Sequence, residues 1–346
     1  MVEEIDPSEE VQRVRLQVAV NDFITAHEMN GSSVDSLAQF RNALGAFMRW
    51  VTEKHNIEYV DALRVAHLRE WLTYLQKTPS RLGKPFADQT IHQYGSTLRA
   101  FCNWLYYEET IQKSITERFT LPKVEKKFIP AFTIEDFNKL LDACEEGSKK
   151  KPKLRKALTA RNRAIVTILF DAGLRRSELL GLRLGDIDRE LRLLTIHRKG
   201  NKWQQVPITQ DGYKPLNEYI TKHRPYLASL GNGTGSKRGD AVFLGAKGEP
   251  FKIAGIEELF KRLKERTGIG DKRVSSHQGR RYMATTQLAA GRSPLDVQRQ
   301  MGHTTLQMTN HYASLTTTHI KKSHELYAPL RPKESKPSGG NEYWEE

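Results

Sequence analysis

Six residues in the second half of the chain have types and intervals that could do chemistry on a phosphate: Arg175, Lys199, His277, Arg280, His303 and Tyr312. Phosphodiester chemistry without a metal needs permanent positive donors for the non-bridging oxygens, a nucleophile, and a proton donor for the departing oxygen. Arginine supplies the first, because its planar fork is always charged and binds phosphate bidentately. A tyrosine hydroxyl can be the nucleophile, and a lysine ammonium on a flexible turn can deliver the proton. Taken singly, each residue has an ordinary reading as a surface arginine, a core histidine or a buried aromatic.

The elements that must position them are legible nearby. His277 and Arg280 are three positions apart and share a face of one helix. Ser275 or Ser276 as cap and Gly291 as stop predict that helix over residues 277–290, opening at the histidine. Its N-terminus adds partial positive charge beside a phosphate. His303 and Tyr312 are nine positions apart, which at about 100° per residue puts them on opposite faces of any continuous helix. Gly302 and the Thr304–Thr305 pair therefore predict a break, with His303 in a turn and Tyr312 on a new helix. Arg175 follows Gly173 at a helix stop, with Arg176 as its possible substitute, and Glu178 is suited to the first turn of the next helix. Lys199 shares its turn with Arg198 and Lys202, and residue type alone does not choose among the three.

These motifs together resemble the tyrosine recombinases of the phage integrase family. The family's first arginine lies in a GLRxSEL segment, matched by Gly173 to Leu179, and its lysine in a β-hairpin, matched by Ile196 to Lys202. Its HxxR motif falls on His277 and Arg280, its second histidine on His303 and its nucleophile on Tyr312. The resemblance implies that Tyr312 forms a 3′-phosphotyrosyl link and frees a 5′-hydroxyl. It also selects Lys199 in the hairpin as the general acid and makes Glu178 a support for Arg175. It implies no cofactor, metal or ATP. Double-stranded DNA with specific recombination sites is the implied partner, engaged by a homotetramer whose C-terminal helices are exchanged between protomers. One departure stands out: where the family's HxLRH version has leucine, arginine and histidine, this chain has Gly279, Arg280 and Arg281. Gly279 either permits a close backbone approach or only loosens the helix, at about 1 kcal/mol relative to alanine.

Composition narrows the classes independently. The 346 residues are enough for two domains, and a formal charge of +14 favours an acidic polymer as partner. Two cysteines, Cys102 and Cys144, make no disulfide framework and suit a reducing cytoplasm, with the protein expected at the nucleoid. There is no long apolar run or signal peptide, and no CxxC, HExxH or Walker A pattern implies a metal or nucleotide.

The expected fold is mainly α with a small β-sheet: a helical core-binding (SAM-like) domain followed by a mixed α+β catalytic domain. An acidic lead covers residues 1–11, the helical domain 12–120, a linker 121–131, the catalytic domain 132–331 and a disordered tail 332–346. Helical periodicity marks Val14 to Ala26, Leu37 to Val51, Leu68 to Leu75 and Ile91 to Tyr106, with a fifth short helix near Ile111 to Phe119. Trp50, Trp71 and Trp104 are expected in the core. Thr133 caps the next helix, and the acid-free basic run from Lys149 to Arg163 is a solvated loop or a contact to a DNA backbone. Strands are expected over Leu191 to His197 and Gln204 to Ile208, and a last helix over Ile320 to Tyr327. The short lead leaves little room for a separate arm-binding domain. A type IB topoisomerase-like nicking and closing enzyme, or a catalytically silent DNA-binding regulator, are the alternatives on this scaffold.

Overall fold

The structure is a computed structural model and describes residues 13–80, 83–124, 130, 132–147, 151–198, 202–231, 240–270 and 272–302. The chain divides into two compact units, Met1–Lys127 and Phe128–Glu346.

The first unit is helical: α1 (Leu16–Met29), α2 (Val34–His55), α3 (Val65–Lys77) and α4 (Asp88–Tyr107). Each carries an apolar stripe, and the four stripes close on one core that includes Phe23, Phe47, Trp50, Trp71, Leu98 and Phe101. Ser33 caps α2 by accepting the Ser36 amide at 3.3 Å, and Asn56 ends it in the left-handed conformation. Trp50 and Trp71 are buried with ring centroids 5.3 Å apart, and the partly buried Trp104 packs on Phe23 at 5.7 Å. The expected fifth helix does not form, because residues 108–120 run through turns and bends. Ile111 and Ile115 still pack on the core and Phe119 is buried in it. Hydroxyls compete for the backbone here: Ser114 Oγ accepts the Thr116 amide at 3.3 Å, and the Thr116 hydroxyl donates to Asn103.

In the second unit, α5 (Ile134–Asp142) starts at a reciprocal capping box between Thr133 and Asp136. Then α6 (Pro152–Asp171) runs through the core, buried almost continuously from Ala164 to Phe170. The basic run expected as a loop or surface is therefore helical from residue 152, because Pro152 at the first turn starts α6. Arg161 within it is buried and donates to the Leu244 carbonyl at 3.0 Å.

After α7 (Arg176–Gly181) comes a three-stranded antiparallel sheet, β1 (Ile187–Asp188), β2 (Leu193–Arg198) and β3 (Lys202–Pro207), ordered β1-β2-β3. The register pairs His197 with Trp203 and Arg198 with Lys202. Alternation points Leu194, Ile196 and Arg198 inward. The two-residue β1 has no period legible in the sequence, because so short a pairing spans a single repeat. Next come α8 (Gln210–Glu218), a π turn over Tyr219–His223 and α9 (Arg224–Ser229), and the unit continues with α10 (Ile253–Thr267), α11 (Ser276–Ala289) and α12 (Pro294–Met301). The helix around Ile320, together with His303 and Tyr312, lies outside the described residues, as do Lys199 and most of the linker. Among the described residues no helix is long and apolar enough to cross a membrane. Cys102 and Cys144 are buried free thiols, and burial pushes both up to about 12.

Candidate active site

The turn between α6 and α7 places the first arginine. Gly173 has φ +68°, and an added Cβ would lie 2.2 Å from Met283 Cε, so the turn needs glycine for its backbone and for its space. Arg175 is the cap of α7. Its amide donates to Glu178 Oε2 at 2.8 Å and its guanidinium to Glu178 Oε1 at 2.7 Å. One carboxylate thus fixes both the backbone and the side chain of Arg175. Glu178 is only 5% exposed, whereas the Arg175 side chain reaches solvent. The neighbouring Arg176 is turned to another element, with Nη1 2.6 Å from Glu257 Oε1 on α10.

Helix α11 carries His277 in its first turn and the buried Arg280 three positions on. Ser275 stands at the cap without a side-chain capping bond, and Gly291 follows the helix end at φ +93°. Gly279 permits close approach: a Cβ there would sit 2.7 Å from the Leu169 carbonyl oxygen and 2.7 Å from Phe170 Cδ2. The departure from the leucine version of the motif is thus explained by the contact with α6. Arg280, 5% exposed, donates to the Gly173 carbonyl at 2.7 Å and to the Met301 carbonyl. It joins the α6–α7 turn to the end of α12.

His277 faces a positive field. Partial burial, then the charges of Arg176, Arg273, Arg280 and Arg175, hold its pKa below the ordinary imidazole value. That shift favours the neutral ring, which can accept a proton or a hydrogen bond.

The sequence did not single out Arg198 for this site except as a competitor of Lys199. It is buried, its Nη2 donates to the Gln300 carbonyl at 2.5 Å and its Nη1 to that of Met301, and Nη1 lies 3.6 Å from Glu178 Oε1. Burial lowers its pKa, Glu178 opposes that shift, and Arg175 adds to it. With its terminal nitrogens on backbone carbonyls, Arg198 is poorly placed to deliver a proton. The signal for this was present in the period-two alternation, which puts residue 198 on the same face as Leu194 and Ile196.

The structure thus brings together Arg175, Glu178 and Arg280, with His277 in the same electrostatic environment. Lys199, His303 and Tyr312 are outside the described residues. The described cluster is an electropositive site with one buried carboxylate, built where α7, α11, α12 and β2 meet.

Comparison with known proteins is consistent with that chemistry. The phage integrase family profile matches residues 131–319. The tyrosine recombinase XerC of Pelotomaculum thermopropionicum is 30% identical over 261 residues, covering 75% of this chain and 80% of that protein. XerC of Bacillus pumilus is 27% identical over 309 residues, covering 89% and 94%. Among solved structures, the Tn1549 transposon integrase in complex with circular intermediate DNA matches with a TM-score of 0.67 at 18% identity, over 90% of this chain and 99% of that one. That likeness speaks to the fold. The named relatives are recombinases, so the topoisomerase-like alternative is set aside.

Proposed function

This chain belongs to the phage integrase family and is a site-specific tyrosine recombinase acting on DNA, and from that premise we propose which of its groups carry the reaction. Tyr312 attacks the scissile phosphorus through its phenolic oxygen. The new P–O bond to tyrosine forms as the P–O5′ bond breaks, leaving a 3′-phosphotyrosyl ester and a 5′-hydroxyl. Arg175 and Arg280 stabilise the charge on the non-bridging oxygens. Lys199 protonates the departing 5′-oxygen, and His277 and His303 hydrogen-bond the phosphate or take the tyrosyl proton. Because the ester keeps the energy of the broken bond, attack by a partner strand's 5′-hydroxyl needs no ATP. Glu178 acts through Arg175 and is a positioning residue.

The observation that carries this reading is the convergence of Arg175 and Arg280. The Arg280 guanidinium binds the Gly173 carbonyl two residues before Arg175, and Glu178 locks Arg175 at the same turn. Two rigidly held guanidiniums form a preorganised anion site, which costs little reorganisation when phosphate charge develops. Specific recombination sites, a homotetramer assembled by exchange of the helix around Ile320 to Tyr327, a division at residues 121–131 between DNA-clamping domains, and action at the cytoplasmic nucleoid belong to the same proposal.

The direct test is a suicide substrate nicked near the cleavage point and resolved on a denaturing gel. Tyr312→Phe is expected to bind DNA normally and to form no covalent adduct. Undiminished adduct from that variant removes the nucleophile assignment. Absence of adduct from the unaltered protein on its own flanking DNA would favour the silent regulator.

A further inference from the structure

The last four carbonyls of a helix have no partner within it, and at α12 all four are nonetheless satisfied. The Gly302 amide reaches the Gln298 and Arg299 carbonyls. The other donors come from outside the helix. Gln204 on β3 donates to the Arg299 carbonyl at 2.7 Å, Arg198 on β2 donates to those of Gln300 and Met301, and Arg280 on α11 shares Met301. Gly302 is pressed against the same guanidinium: it has φ +59°, and a Cβ on it would lie 2.0 Å from Arg198 Nη1. A cation at this end also meets the negative pole of the helix.

The chain connections give this clamp a consequence. Arg198 is followed directly by Lys199, and Met301–Gly302 directly by His303. We infer that Arg198 is a positioning residue that ties the strand leading to Lys199 to the helix end leading to His303, so that these two groups approach the phosphate as one unit. The inference rests on the reading of Lys199 as general acid.

The test compares single-turnover cleavage of two suicide substrates, one ordinary and one with sulfur in place of the bridging 5′-oxygen. A thiolate leaves without a proton, so a defect that acts through the general acid disappears on the sulfur substrate. Arg198→Met, which keeps length and loses the donors, is expected to cleave the ordinary substrate about a hundredfold more slowly, the scale for a small misplacement of catalytic groups. Sulfur should restore about tenfold of that loss, with DNA affinity within about twofold of the unaltered protein. Arg198→Lys, able to reach one carbonyl, should fall between the two.

Equal loss on both substrates, or no loss, overturns the inference. Lys199→Ala is measured in parallel: rescue of Lys199→Ala without rescue of Arg198→Met leaves the general acid in place and removes only the coupling. If Lys199→Ala is not rescued, the general-acid assignment falls and the coupling to it falls too. Should Arg198→Met fail to fold, Gln204→Leu removes the neighbouring clamp bond from a partly exposed position, and the same sulfur rescue of a smaller defect is expected.

Discussion

The two units bury different things. Among the described residues, the buried side chains of the first unit are apolar and aromatic, with Thr97 and Thr116 as the buried polar ones. The second unit buries Asp136, Glu146, Arg161, Glu178, Arg198, Arg224 and Arg280 as well. Burying an ion costs several kcal/mol unless it is paired and hydrogen-bonded, so a domain retains such groups only in a closed network. The core of the first unit is built by apolar and aromatic helix packing. In the second, Glu178, Arg198 and Arg280 belong to the candidate site, whereas Arg161 and Arg224 are held on carbonyls elsewhere in the core. Fold stability and site geometry are thus nearly separate in one unit and inseparable in the other.

The sharpest test of that contrast pairs one substitution from each unit. Glu178→Ala leaves Arg198 buried without its counter-ion and Arg175 without its anchor. It is expected to destabilise by about 3–5 kcal/mol and to abolish cleavage. Phe23→Ala opens a cavity in the aromatic core and should also cost about 3–5 kcal/mol. Its cleavage rate per correctly folded molecule should stay within a few fold. Denaturant unfolding and single-turnover cleavage of both variants decide the matter, and equal catalytic losses would erase the contrast.

Gly279→Ala probes the interface of α11 with α6. The added methyl meets a backbone carbonyl and a phenyl ring at 2.7 Å, so α11 must retreat, at about 1–3 kcal/mol. Since α11 carries His277 and Arg280, cleavage should fall more than DNA binding does. A variant with unchanged melting temperature and cleavage would show that α6 can yield.

The smallest effect is in pH. The folded pKa of His277 lies below its unfolded value, so the unfolded chain takes up the proton first as pH falls. The associated stability is fully present above the unfolded value of about 6.5 and is lost as pH drops through the folded pKa. An NMR titration should place the His277 midpoint below an ordinary histidine, and Arg176→Ala should raise it. A midpoint at or above the ordinary value would mean that the arginines do not control this ring.

Local rules made much of this legible. The four helices of the first unit follow from apolar periodicity, α5 from Thr133 and its acidic first turn, and the β2–β3 pair from alternation around Gly200–Asn201. Those signals act within a few residues, which is the range of a helical turn or a strand period. The same range explains the misses. Hydroxyl bonds at Ser114 and Thr116 defeat an apparent helical pattern, and a run of charge near Lys151 conceals a helix that Pro152 starts.

In the site, the sequence by itself determined which residue types stand at which intervals, and that Arg175 follows Gly173 at a helix stop. Tertiary structure decided that Glu178 holds Arg175 by both backbone and side chain, that Gly279 exists for the approach of α6, and that Arg198 belongs to a helix end 103 residues away. The physical reason is the nature of the partners. A guanidinium can be satisfied by any correctly placed carbonyl, every residue has one, and only the packing of distant elements determines which carbonyl it meets.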